Sequence, residues 1–160
     1  MKILETLAKF CSVLSGILLT FITLMTCYSL IGRNTTGDTI VGDFELTGVA
    51  TGAAIALFMP LCQLKKANII VDFFTANLSE ETNAIFDRLG AFVLCIVFAV
   101  LSWRTVVGCM SAYTAGSQTM LMGIPEWIVY AAMVPPFAIS SLIGFTQAIH
   151  GVECLLEQSA

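Results

Sequence analysis

The chain has 160 residues, 58% of them hydrophobic and 11% charged, whereas soluble domains carry roughly 25% charged residues. So few charges, with a mean hydropathy of +0.91, exclude a surface that faces water all round; lipid is required as part of the solvent. The balance of 7 basic to 11 acidic side chains excludes the basic footprint of a nucleic-acid binder.

Phe10–Gly32 lies uncharged between Lys9 and Arg33 and reaches the ~20 residues that a helix needs to cross ~30 Å of hydrocarbon. Its apolar core is longer than that of a secretory signal and no small-x-small cleavage site follows, so a retained first span is predicted over about 10–32. Ser12, Gly16 and Thr20 repeat at four-residue spacing along it. The acidic loop Asp38–Glu45 follows, with Gly37 and Gly42 as turn points. A second span is predicted over 46–64, with Gly48, Gly52 and Ala56 on one face. Small residues at this spacing let helix backbones approach closely, which supplies packing where lipid offers no hydrophobic drive.

Residues 66–78 are too short and too polar to span. Ile69, Ile70, Val71, Phe73, Phe74 and Leu78 are interleaved with Asn68, Asp72, Thr75 and Asn77, the pattern of an amphipathic segment lying in the membrane interface. Lys65, Lys66, Phe73, Phe74 and Arg88 are its expected interfacial anchors. Ser79-Glu80-Glu81 resembles a helix start, a hydroxyl cap followed by acids in the first turn. One long helix is therefore predicted from about 79 to 113, with its span over about 89–112 and its first turns outside the hydrocarbon. Arg104 is the single charge inside that span. A short loop, Gly116–Gly123, closes with Ile124-Pro125-Glu126-Trp127, and a proline and an acid suit the first turn of a helix. The fourth span is predicted over about 127–149, with Ser140, Gly144 and Ala148 as its small-residue face. Trp127, Tyr130 and Tyr113 fit an interfacial aromatic belt.

The expected fold class is an all-α integral membrane protein: one membrane domain over 1–160, four transmembrane helices, and an interfacial segment between helices 2 and 3. Lys2, Lys9, Lys65, Lys66 and Arg88 fall on one side of the membrane and Arg33 on the other. By the positive-inside rule both termini are expected to be cytoplasmic.

Chemistry-bearing residues are scarce. The six cysteines include no CxxC pair, and most sit in apolar runs, where cysteine packs as a small hydrophobe. His150 is the sole histidine, and bis-histidine haem ligation needs two. No base stands near a serine, threonine or cysteine to activate it, and no phosphate-cradling glycine loop is present. No catalytic residue, metal site or cofactor is expected. Glu45, Arg104 and Glu126 are candidates for a polar network at the outer face.

The order of motifs resembles the small, DctQ-type membrane subunit of tripartite ATP-independent periplasmic (TRAP) transporters over nearly the whole chain. The resemblance rests on Arg33 after the first span, Glu45-Leu46 opening the second, Gly52-Ala53-Ala54, and Lys65-Lys66 leading into Ala67-Asn68-Ile69-Ile70-Val71-Asp72. Ile124-Pro125-Glu126-Trp127 with Tyr130 and Pro135 completes it; the family often has histidine where this chain has Asn68. The resemblance implies a non-catalytic subunit of a sodium-coupled importer of organic anions in the bacterial inner membrane. Its implied partners are a large elevator-type membrane subunit that holds the sodium sites, a periplasmic substrate-binding protein, and phospholipids. Its implied role is part of the fixed scaffold, with a share in docking the binding protein. Three other readings differ by residue. A self-contained four-helix exporter needs a membrane-embedded acid in its first span, and Phe10–Gly32 has none. A redox-complex anchor needs more ligands than His150. An animal junction-type protein is expected to pair cysteines in the loop Arg33–Glu45, which contains none.

Overall fold

A computed structural model describes residues 2–35, 37, 40–65 and 80–150. Four helices account for nearly all of them: α1 (Lys2–Thr35), α2 (Asp43–Leu64), α3 (Glu80–Ala115) and α4 (Glu126–His150). Each contains a stretch long and apolar enough to cross a membrane. The only extended pairing among the described residues is one isolated bridge between Gln118 and Pro125. The expected interfacial segment 66–78, with Lys66, Phe73 and Phe74, lies outside the described residues, as does Lys2 beyond its backbone.

The helices run up, down, up and down. The connections 36–42 and 116–125 therefore share one end of the molecule, here the loop end. The start of α1, the end of α2, the start of α3 and the end of α4 share the other, the terminal end. α2 and α4, with 22 and 25 residues, are about 33 and 37 Å long, a close match to the hydrocarbon thickness. α1 and α3, with 34 and 36 residues, reach about 51 and 54 Å. The excess carries the charges. Glu5 and Lys9 ride on the first turns of α1 as an i,i+4 ion pair, and Asp87 and Arg88 ride on the first turns of α3. Both overhangs thus fall at the terminal end.

The packing order in space is α1–α2–α4–α3. α1 lies on α2, α2 on α4, and α4 on α3, with a lesser contact between α1 and α4. This is an open row rather than a closed bundle. Burial follows from position: 33% of the most apolar stretch of α2 is buried, against 11% for α3 at the edge. The sequence of α2 suits an inner place, because Ala53, Ala54, Ala56 and Leu57 are all buried and thin side chains let neighbours approach from both sides. Pro60 in α2 and Pro135 and Pro136 in α4 lie inside their helices. Each removes one backbone donor, a change that membrane helices tolerate where neighbouring groups re-satisfy the backbone.

The seam of α1 is Ala8, Cys11, Ser15, Ile22 and Ser29, all buried, at three-, four- and seven-residue spacings that keep one face toward α2. The row Ser12, Gly16 and Thr20 is turned away from α2, with open space above Gly16 and Thr20 exposed; its hydroxyls bond back to Lys9 and Gly16 carbonyls of the same helix. On α3 the seam toward α4 runs through Ala91, Phe98 and Ala112, with Phe98 stacked on Phe137 at 6.4 Å between ring centroids.

Of the glycines singled out on α2 and α4, Gly144 is the one packed against another helix's backbone. A Cβ there would stand 3.2 Å from the Cys95 backbone and 3.3 Å from the Ala91 carbonyl oxygen. At Gly52 a Cβ would meet only the terminal methyl of Met133, at 2.9 Å, a flexible group that can swing aside. Gly48 has nothing within 4 Å and is exposed. Gly144→Leu is therefore expected to pry α3 from α4 and lower stability by about 1–3 kcal/mol, the usual effect of overpacking. Gly52→Ala is expected to change it by under about 1 kcal/mol. Unfolding midpoints of the purified chain in detergent, compared across the two variants, check this ranking.

Candidate functional site

Among the described residues no three His, Cys, Asp or Glu side chains converge as metal ligands. Polar side chains instead meet in pairs, and they do so at three levels along the row.

At the loop end, three glycines shape the backbone. Gly116, at φ 62, ends α3 with Ser117 N–H donating to the Ala112 carbonyl at 3.1 Å and its own N–H to Tyr113 at 3.3 Å, the two bonds of a Schellman motif. The chain then folds into a tight loop: Thr119 N–H donates to the Ile124 carbonyl at 3.0 Å, Gly123 N–H to Thr119 at 3.0 Å, and Glu126 N–H to Ser117 at 3.1 Å. Gly42, at φ 82, opens α2 in contact with this loop; a Cβ there would overlap Met122 Cγ at 2.4 Å. From the first turn of α2, Glu45 accepts from Leu121 N–H at 3.0 and 3.1 Å and from Met122 N–H at 3.3 Å. Two residues earlier, the Asp43 carboxylate accepts a hydrogen bond from the Ser29 hydroxyl of α1. The two acids tie the α3–α4 loop and the end of α1 to the same turn of α2. Trp127 stands edge-on to Tyr113 at 5.8 Å between centroids, and its carbonyl accepts from Cys109 Sγ at 3.4 Å.

In the middle, Ser15 of α1 donates to the Ala54 carbonyl of α2 at 2.6 Å, and Ser141 of α4 donates to the Cys95 carbonyl of α3 at 3.2 Å. At the terminal end, Gln63 Nε2 donates to Gln147 Oε1 at 2.8 Å while Gln147 Nε2 donates to the Gln63 carbonyl at 2.8 Å. Both glutamines are almost fully buried. A reciprocal amide pair of this kind joins α2 to α4 inside an apolar seam, where leaving either group unmet is unfavourable.

The residues proposed from sequence divide accordingly. Ala56, Ser140 and Gly144 are buried in the row, Gly52 and Ala148 are half-buried, and Gly48 looks outward. Lys65 caps the end of α2 and is exposed, and Arg88 is exposed on α3. Arg33 lies exposed in the last turn of α1, a favourable place for a cation beside the negative end of the helix dipole. Pro125 and Trp127 flank Glu126 at the start of α4. Glu45, Arg104 and Glu126 do not form one network. The Glu45 oxygens are taken by loop amides; Glu126 is half-buried in the first turn of α4 and Arg104 is exposed on α3, and neither side chain makes a hydrogen bond or ion pair among the described residues. Gln63, Gln147, Ser15 and Ser29 carry the packing but were not singled out from sequence. An amide buried in an otherwise apolar run was the signal available for the glutamines.

Residues 22–154 match the family model for the DctQ component of tripartite ATP-independent periplasmic transporters. No curated protein matches, and no solved structure matches.

Two variants test the paired contacts. Glu45→Ala removes the acceptor of two loop amides and is expected to speed hydrogen exchange at Leu121 and Met122 by about ten-fold or more, the equivalent of one charge-assisted bond. Gln147→Leu is expected to lower stability by about 1–2 kcal/mol. The double replacement of Gln63 and Gln147 by Leu is expected to lower it by less than the two single changes summed, as a double-mutant cycle in detergent shows for coupled groups.

Proposed function

Because this chain belongs to the DctQ component family and is thus the small permease subunit of a TRAP transporter, not an enzyme, we propose that it serves as fixed scaffold for the large, moving membrane subunit. The transporter imports an organic anion, coupled to sodium bound in the large subunit. The chain sits in the bacterial inner membrane with both termini in the cytoplasm, so the loop end faces the periplasm.

The observation that carries this reading is the open row. Its inner helices α2 and α4 are tied together at both ends and to their edge neighbours in the middle, while the edge helices α1 and α3 keep long apolar faces exposed, among them Phe10, Ile17, Phe21 and Leu24 on α1 and Val93, Val97 and Val100 on α3. Single exposed apolar residues are ordinary, but continuous faces on both edges are surfaces for lipid and for other membrane helices. A scaffold needs such surfaces together with internal rigidity. Gly48, open and outward on α2, belongs to the same contact surface. Lys65, Lys66 and Arg88, with Phe73 and Phe74, hold the terminal end at the cytoplasmic interface, where basic side chains meet anionic lipid. The loop-end plate built by Gly42, Glu45 and the 116–125 loop is a firm platform, and Glu126 within it offers a carboxylate for docking the periplasmic binding protein.

Reconstitution tests the scaffold role. Liposomes containing this chain alone are expected to show no uptake under a sodium gradient. Liposomes containing this chain and the large subunit are expected to take up anion when the binding protein is added. Uptake by this chain alone would remove the scaffold reading.

A further inference from the structure

Arg104 is the one charged side chain deep within a span, and it makes no hydrogen bond or ion pair, among the described residues. Tyr113, in the interfacial aromatic pair with Trp127, lies nine residues further along α3, which puts Arg104 about 13 Å below that level. Arg88 lies sixteen residues before it, about 24 Å toward the terminal end. A lone guanidinium at such depth is costly unless it finds an anion or a polar cavity.

Lipid phosphate is the first anion to consider, reached by snorkelling. Helix geometry opposes it. The Cα–Cβ bonds of a helix tilt toward its N-terminus, and the N-terminus of α3 is at the terminal end. Arg104 is therefore launched away from the nearer loop-end headgroups, and those at the terminal end are beyond its length. Its face is also turned from this chain's own helices. At helical spacing Arg104 lines up with Val93, Val97, Val100 and Ser111, all exposed, whereas α4 is met by the separate seam of Ala91, Phe98 and Ala112.

We propose that this face of α3 docks a transmembrane helix of a partner subunit that presents a carboxylate at the depth of Arg104. The planar guanidinium takes a carboxylate through two parallel hydrogen bonds, and the small and β-branched side chains around it allow a helix to approach. The inference rests on the assembly proposed above and adds which edge of the row is used and what chemistry the partner brings.

The test uses the complete transporter in native membranes. Photo-crosslinking residues placed at Val97 and Val100 are expected to join the large subunit. Arg104→Glu is expected to reduce recovery of the large subunit on the tagged small subunit at least ten-fold, and Arg104→Leu at least three-fold. The isolated Arg104→Leu chain should keep its unfolding midpoint, because the exposed Arg104 makes no hydrogen bond or ion pair among the described residues; this separates lost docking from lost folding. Undiminished recovery with Arg104→Glu, or labelling of phospholipid alone from Val97 and Val100, overturns the proposal. If a probe at Ile17 on α1 crosslinks the large subunit while those on α3 do not, the docking edge is α1 and the assembly reading stands. If the unaltered chain recovers no large subunit at all, the assembly reading falls with it.

Discussion

In hydrocarbon no water is at hand to satisfy a stray polar group, and that constraint governs how these four helices hold together. The hydroxyls of Thr20, Thr23, Thr35, Thr105 and Thr114 bond back to carbonyls of their own helices, which uses their single donor within the helix. The side chains that do cross between helices include Ser15, Ser29, Cys109, Ser141 and the two glutamines. Each meets a specific carbonyl, carboxylate or amide. Because lipid is as apolar as leucine, helix association gains little from hydrophobic burial; these polar contacts and close backbone packing determine which helices become neighbours.

The open row follows from where those contacts are placed. α2 is buried around much of its middle because alanines succeed one another through Ala53, Ala54 and Ala56. α4 meets α2 through Gln147 and meets α3 through Gly144 and Ser141 on a different side. α1 and α3 each have one good seam, so each becomes an edge. α3 makes no substantial seam with α1 or α2, and the row does not close.

Much of this was legible in the sequence, for a physical reason. Charge is excluded from hydrocarbon strongly enough that Lys9, Arg33, Glu45 and Lys65 bracket the first two spans, and the acids at Glu80 and Glu81 mark the start of the long third helix. Neighbour relations were less legible. Four-residue spacing of small side chains identifies a face that permits contact but not whether a helix occupies it. Gly144 is filled by the α3 backbone while Gly16, with an equivalent pattern, is open. The difference lies in what stands one residue away: Ser15 has the hydroxyl that Ala54 can accept, and this turns α1 by about 100° from the face the small residues marked. Glu45 was noticed as a charge, yet its bond is to backbone amides of a loop some seventy residues distant, and side-chain types reveal nothing about such a partner.

Stiffness across the row depends on ties at more than one height. A single contact between two helices acts as a pivot, since each helix can still rotate about it; a second contact far along the axis removes that freedom. α1 is held to α2 in the middle by Ser15 and at the loop end by Ser29. α4 is held to α2 at the terminal end by the glutamine pair, and at the loop end through the loop that Glu45 grips. On α2 the ties to α1, at Asp43 and Ala54, lie about 17 Å apart, and those to α4, at Glu45 and Gln63, about 27 Å apart. Prolines that would soften α2 and α4 as isolated rods are buried between such ties at Pro60 and Pro136, where bending would have to break contacts at both ends. Under the scaffold reading this is the property that matters: a neighbour that slides against the row needs a frame that does not yield at either membrane surface, and the ties at the two ends supply it without any group that has to change its protonation or bind a ligand.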